Sequence, residues 1–305
     1  MTLTAAQRDR AQGVLLGTAA GDALGAGYEF TFPTATTAIA MNGGGTFQWA
    51  PGEWTDDTSM AIAIAIAAAE VGDLHSVAGQ DAVAAGFVRW WDTRPKDVGR
   101  QTSAVLARRS STAKAMRAVA STLIRRGGNG SLMRTAPVAL ASLNDIDVTV
   151  AAAIAISSLT HNDQRANEAC VLWTLAIRHA VLHGNYAGLR AALPYVDAEY
   201  WEPLLDQAEQ TDQPRESFGK NGWCVDALLS AWWAITHTDS LPAALEAAVR
   251  IGGDADTVAA ITGGLVGARW GASAVPTHWR DRVHGYPGLR ANDLTELTDR
   301  IIATS

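Results

Sequence analysis

The chain has 305 residues, 48% of them hydrophobic and only 18% charged, with a net charge of −7. That length supports one large domain or two modest ones around a dry core. The lack of a long basic run disfavours a non-specific nucleic-acid binder. The longest apolar run, Ala61 to Ala69, is far too short to span a membrane.

The first ten residues lack the apolar centre of a signal peptide, so a soluble cytoplasmic protein is expected, with a monomer as the simplest state. Cys170 and Cys224 form neither a disulfide framework nor a zinc motif and read as small buried hydrophobes. Alanine-rich segments of helical length recur while β-branched runs stay short, which favours an all-α fold.

A first helix is predicted from Ala5 to about Ala20, with Ala11, Val14, Leu15 and Thr18 at helical spacing. The stretch from Gly21 to Gly27 reads as a flexible turn whose glycines allow close approach of a helix or a ligand. Glu29 follows it among largely apolar neighbours. It is either an ordinary boundary residue or a partly buried carboxylate of raised pKa, able to exchange a proton or bind a hydroxyl.

Pro33 and the run Asn42-Gly43-Gly44-Gly45 mark a loop that reaches Trp54, and a loop this long favours a functional role. Thr55 is placed to cap the next helix, with Asp56 and Asp57 in the first turn, where free amides and the helix dipole favour negative charge. The body from Met60 to Glu70 alternates alanine and isoleucine; a buried helix is preferred, because alanine is a poor strand former.

Further helices are predicted over 74–91, 101–107 and 111–125, with a polar loop at 93–100. A turn-rich segment, Gly127-Gly128-Asn129-Gly130-Ser131, precedes Leu132-Met133-Arg134, and Pro137 suits the first turn of the following helix. Helices are expected at 148–158 and 162–182, the second ended by His183-Gly184-Asn185. A polar stretch with two prolines spans 197–215. Helices resume at 223–235, 241–250 and 258–270, an irregular tail covers 276–289, and a last helix spans 294–302. No fixed-period repeat and no Pro/Ser linker divides the chain, so residues 1–305 read as one helical domain.

Two acidic clusters far apart in this order carry the chemistry. Trp54-Thr55-Asp56-Asp57-Thr58 and Gly252-Gly253-Asp254-Ala255-Asp256-Thr257 each set carboxylates beside a threonine hydroxyl at the edge of an apolar helix. Carboxylates supply charged hard oxygens and threonine a neutral one, which suits Mg2+ or Mn2+. Brought together, four carboxylates without a cation would raise one another's pKa values and destabilise the fold, and two divalent ions would offset that repulsion. The plainer alternative is two helix N-termini with acidic first turns, or an ion that is purely structural.

Asn129, Gly130 and Ser131 offer amides and a hydroxyl suited to phosphate or ribose, and Arg134 can pair with a phosphate. His161 sits between two helices as a cap or a substrate contact. Trp49, Trp54 and Trp223 are candidates for contacting a base or a protein, whereas Trp90, Trp91, Trp232 and Trp233 read as core.

Taken in order, Gly17-Thr-Ala-Ala-Gly-Asp-Ala-Leu-Gly25, Trp54-Thr-Asp-Asp-Thr58, Asn129-Gly-Ser-Leu-Met-Arg134, Leu159-Thr-His161 and Gly252-Gly-Asp-Ala-Asp-Thr257 resemble the ADP-ribosylglycohydrolase family over nearly the whole chain. The resemblance implies a compact orthogonal all-α domain with a central binuclear metal cleft. It implies two Mg2+ or Mn2+ ions on Thr55, Asp56, Asp57, Asp254, Asp256 and Thr257, with Glu29, Asp57 and Asp256 closest to the chemistry. It also implies substrate contacts from Glu29, Asn129, Gly130, Ser131, Met133, Arg134, His161, Phe218, Gly222 and Trp223.

The implied reaction is hydrolysis of the glycosidic bond that joins ADP-ribose to an acceptor, with arginine on a protein preferred. A serine linkage, another nucleotide-sugar conjugate and an inactive ADP-ribose-binding protein are the alternatives. Gln164 stands where the family pattern has proline, a departure that bears on loop rigidity and access more than on metal binding.

Overall fold

Helices follow one another along the whole chain in the computed structural model, which describes residues 2–124 and 127–304. They are α1 (Ala5–Gly25), α2 (Asp56–Val71), α3 (Val77–Asp92), α4 (Arg100–Leu106), α5 (Ala113–Ala120), α6 (Val138–Ala141), α7 (Ile146–Ser157) and α8 (Gln164–His183). The second half adds α9 (Gly188–Ala191), α10 (Ala198–Gln210), α11 (Pro214–Phe218), α12 (Cys224–Thr236), α13 (Leu241–Ile251), α14 (Ala255–Trp270), α15 (Thr277–Arg280) and α16 (Ala291–Thr304). The sheet content among the described residues is a two-residue hairpin, His284–Gly285 against Leu289–Arg290, within the tail read as irregular. No helix among the described residues is long and apolar enough to cross a membrane.

α1 opens with a reciprocal cap in which the Gln7 amide donates to Thr4 Oγ1 and the Thr4 amide donates to Gln7 Oε1. It runs past the predicted end at Ala20, straight through the glycines read as a flexible turn. The reason lies in their spacing. Gly13, Gly17, Gly21 and Gly25 fall at intervals of four and form one stripe down the helix.

That stripe lies against α14, which runs in the opposite direction. A Cβ on Gly13 would strike the Gly267 carbonyl, one on Gly17 the Gly263 carbonyl, one on Gly21 the Ala259 carbonyl, and one on Gly25 the Asp256 backbone. Gly263 and Gly267 present the same constraint in return. The two helices therefore touch backbone to backbone, and the entropy cost of glycine in a helix is offset by a contact that no larger residue allows.

α1, α2 and α14 are buried on nearly every side. Met60, Ile62 and Ile64 of α2 are almost fully buried, each contributing about 1.5–3 kcal/mol relative to exposure. The alanine–isoleucine alternation is thus a core helix, as expected.

Other boundaries shift modestly. Pro137 is the N-cap of the short α6 rather than part of its first turn. The helix predicted over 111–125 is described as α5, ending at Ala120, followed by turn; Arg125 lies outside the described residues.

Replacing Gly17 by valine is expected to lower unfolding free energy by at least about 2 kcal/mol, because its side chain must displace the Gly263 carbonyl. Gly99→Ala, where a Cβ meets open space, is the control and should stay within about 0.5 kcal/mol. Urea denaturation midpoints read both.

Candidate metal centre and cleft

The antiparallel pairing of α1 with α14 brings the C-terminal end of the first helix beside the N-terminal end of the second. Asp22 projects from the last turn of α1, and Asp254 and Asp256 from the start of α14. The start of α2 completes the corner. Thr55 holds its N-cap position, yet its side chain does not cap: Thr55 Oγ1 donates to Asp57 Oδ2 at 2.9 Å. The cap comes from another helix, with the Thr55 and Thr58 amides donating to Asp22 Oδ1 and Oδ2, both at 2.9 Å.

Two groups of carboxylate oxygens result, Asp22–Asp57–Asp256 and Glu29–Asp254–Asp256, each with its ligand atoms within 4.8 Å of one another. Asp256 belongs to both. Asp57 Oδ1, Asp256 Oδ1 and Glu29 Oε2 are buried without a hydrogen-bond partner. Orphaned, converging carboxylate oxygens of this kind are the donor set that a hard divalent cation satisfies, so the residues present fit such an ion.

The electrostatics agree. Burial, followed by repulsion from neighbouring carboxylates, lifts Asp56, Asp57 and Asp256 well above the ordinary range. Burial and then Asp97, Asp254 and Asp22 raise Glu29 to about 8. Burial raises Asp22 to about 6 despite its bonds to the two threonines. Asp97 also rises to about 6, through burial and then Asp254.

In front of this centre opens a cleft of about 1010 Å³. Glu29, Asp56, Asp254 and Thr257 form its floor next to Asn129, Gly130, Met133, His161, Gly222 and Trp223, all expected at the site. Asp57 and Asp256 are buried behind that floor.

Asn221 ties three of these segments together. Its Nδ2 donates to the Gly252 carbonyl at 2.8 Å, its Oδ1 accepts from the Asp254 amide at 3.0 Å, and its own carbonyl accepts from Asn129 Nδ2 at 2.8 Å. Asn129 Nδ2 also donates to Asp254 Oδ2 at 2.7 Å. The Glu29 segment is stitched to the same loop, because the Phe30 amide donates to the Gly253 carbonyl at 2.6 Å.

Three expected substrate contacts do not line the cleft. Arg134 is fully buried; its Nη2 donates to Thr160 Oγ1 at 2.6 Å, and its guanidinium lies 4.4 Å from the Phe87 ring centroid. Burial lowers its pKa to about 9, so it stays cationic at neutral pH, but it faces the core rather than a diphosphate. Ser131 is buried, its hydroxyl accepting from Ser157 Oγ at 3.1 Å and from Cys170 Sγ at 3.5 Å. Phe218 is core.

Arg134 instead acts on the cleft through a neighbour. Thr160 Oγ1 accepts from Arg134 Nη2 and is hydrogen-bonded to His161 Nδ1 at 2.7 Å, which fixes the ring with Nε2 on the side of Gly130. Burial, with Arg134 nearby, keeps that imidazole neutral by driving its pKa well below the usual value. A Cβ on Gly130 would sit 3.1 Å from His161 Nε2, so the glycine is what admits the ring.

Asp22, Asn221, Asp97 and Phe30 escaped sequence reasoning. Asp22 lay inside a stretch read as flexible, and Asn221 one residue before the noted Gly222–Trp223 pair. Asp97 sits in a polar loop without a motif. Phe30, 61% exposed with a left-handed φ of 59°, stands on the cleft rim. Of the three tryptophans held open for binding, Trp223 alone lines this cleft; Trp49 and Trp54 are buried.

A family model described as ADP-ribosylglycohydrolase matches residues 3–305. The chain is 32% identical over 296 residues to the ADP-ribosylarginine hydrolase Tri1 of Pseudomonas putida (strain GB-1), covering 92% of this chain and 76% of that protein. It is 30% identical over 287 residues to the ADP-ribosyl-[dinitrogen reductase] glycohydrolase of Rhodospirillum rubrum, covering 90% of each. A solved structure described as an ADP-ribosylglycohydrolase-related protein complex superposes with a TM-score of 0.78 at 28% identity, covering 99% of this chain and 100% of that one. With the motifs, the fold and the site in agreement, the chain belongs to the ADP-ribosylglycohydrolase family and is a glycosidic-bond hydrolase.

Proposed function

We propose that this enzyme hydrolyses the bond between ADP-ribose and an arginine side chain of a protein, using two divalent cations, Mg2+ or Mn2+. The observation that carries the reading is the pair of three-carboxylate groups sharing Asp256, two adjoining oxygen-only sites at the floor of one cleft. The arginine acceptor is supported by the named activity of the Pseudomonas relative. It is also supported by the acidity of the cleft, which Glu29, Asp56, Asp97, Asp163 and Asp254 line, and which favours a guanidinium leaving group.

In this reading Asp22, Asp57, Asp254 and Asp256 would hold the ions, with Thr55, Asp56 and Thr257 beside them and Glu29 facing them from the cleft. The ions supply Lewis acidity next to the distal ribose. Asn129, locked to Asp254, and the imidazole of His161 orient the sugar and diphosphate.

Water adds to the anomeric carbon as the carbon–nitrogen bond to arginine breaks. Glu29, with its free Oε2, takes up the proton that water releases. The surrounding carboxylates stabilise positive charge developing at that carbon. The solvent-facing side of the cleft receives the acceptor, with Asp97 placed to meet the departing guanidine.

Metal-dependent release of ADP-ribose from an arginine-modified protein, followed by mass spectrometry, tests the reading. No release by metal-loaded, folded enzyme would move the assignment to serine linkages, small conjugates or binding alone. Asp256→Asn should cost at least about 100-fold in turnover and weaken metal binding, since both carboxylate groups lose a member. Glu29→Gln should lower turnover by about 10²–10⁴ while calorimetric metal binding persists; unchanged turnover removes its proton-transfer role.

The raised carboxyl pKa values also fix a pH dependence. The unfolded chain releases these protons near pH 4, whereas the ion-free folded site holds those of Asp22 and Asp97 to about 6 and that of Glu29 to about 8. The stability tied to them is present below about pH 4 and lost as pH rises through about 6 to 8. Melting temperatures in chelator should fall across that window, and Mn2+ or Mg2+ should raise them most at its upper end. Parallel curves with and without metal would contradict the site.

A further inference from the structure

Charge is distributed unevenly along the chain. Residues 89–117 carry eight of the 24 Lys and Arg but only two of the 31 Asp and Glu, so this segment is basic in an acidic protein. It includes α4, which lines one side of the cleft, and α5, which packs against α4. Arg100 and Ala104 of α4 line the opening, and Arg108 lies exposed in the turn that follows the helix. α5 carries Lys114 on its exposed side, and the chain leaving α5 supplies Leu123 and Ile124 to the cleft mouth.

Arg94, Arg100, Arg108 and Lys114 are exposed and form no ion pair among the described residues. Beside them stands an apolar lip. Ile124 is 97% exposed and Trp223, across the mouth, 42%. An unpaired basic surface flanking an exposed aliphatic and an aromatic side chain is the composition of a protein-docking patch, with apolar anchors at the centre and charge at the rim. Residues 100–124 contain no Phe, Tyr, Trp or His, so this flank lacks the stacking groups that a single-stranded nucleic acid uses.

We propose that the basic flank and apolar lip of the cleft dock an acceptor protein whose surface around the modified side chain is acidic. The inference rests on the hydrolase reading above and adds to it the choice of acceptor. Complementary charge raises the encounter rate and fixes the orientation in which the modified side chain enters the cleft. Its reach is about 8–10 Å at ordinary ionic strength, so it acts on residues flanking the modification and not on remote ones.

The test uses metal-loaded enzyme and three probes: free ADP-ribosyl-arginine, and two arginine-modified peptides of equal length, one with glutamates flanking the modified residue and one with lysines. The glutamate peptide should have the higher kcat/KM by about tenfold, an advantage that shrinks as salt is added. The double variant Arg108→Glu with Lys114→Glu should abolish the preference and leave turnover of free ADP-ribosyl-arginine unchanged.

Equal kcat/KM for the two peptides in wild-type enzyme, or equal loss on all three probes in the variant, overturns the proposal while the hydrolase reading stands. If no probe is turned over, the hydrolase reading falls, and equal dissociation constants for the two peptides then overturn docking as well. Competition by oligouridylate that depends on Arg108 and Lys114, with no peptide preference, assigns the flank to nucleic acid instead.

Discussion

Contact between two helix backbones sets the position of everything else at this site. Where Gly13, Gly17, Gly21 and Gly25 meet Gly267, Gly263, Ala259 and the Asp256 backbone, α1 and α14 approach closer than any side chain permits. The register of that contact decides which residues face each other at its end. Gly25 abuts Asp256, so Asp22 and Glu29, before and after Gly25, arrive on either side of the same carboxylate. A shift by one helical turn would separate the acidic groups that sequence distance had kept apart.

The site built there opposes the fold that builds it. Asp22, Asp56, Asp57 and Asp256 are buried, and that burial pushes their pKa values up, with neighbouring like charges adding to it at Asp56, Asp57 and Asp256. Helix N-termini soften this in part, since α2 and α14 both begin at the cluster and direct free amides toward it. Asp22 uses two of those amides, a cap that also pins α2 to α1. The orphaned oxygens on Asp57, Asp256 and Glu29 are what that arrangement leaves over, a donor set that a hard divalent cation would satisfy. Polar support of this kind extends outward through Asn221, and through Arg134 and Thr160, which hold His161 in the cleft wall without entering the cleft themselves.

Much of this was legible in the chain, for physical reasons that differ by residue. Asp56, Asp57, Asp254 and Asp256 stood out because two clusters of acids beside threonine, each at the head of an apolar helix, can close into one oxygen-lined site. The α-helical class followed from alanine content and the shortage of β-branched runs. Asp22 did not announce itself, because glycines at intervals of four look like flexibility until a second glycine-bearing helix lies against them. Arg134 was misread in the opposite sense: an arginine after a glycine turn suggests an anion, and only tertiary packing on Phe87 and Thr160 reveals that it faces inward. Asn221 and Asp97 have no local pattern, since their partners come from distant segments.

The glycine stripe also divides the molecule into parts with different freedom to vary. Residues on the α1–α14 seam are coupled in pairs across the contact, so a larger side chain on one helix has no compensating change on the other short of losing the register. The flank made by α4, α5 and the segment leading to Ile124 contributes nothing to that seam. Its exposed positions can accept substitutions while the carboxylates stay where they are. If this flank docks the acceptor as proposed, the range of acceptors is able to drift independently of the bond that is cut, and substitution on this one flank is a route to a hydrolase of altered clientele.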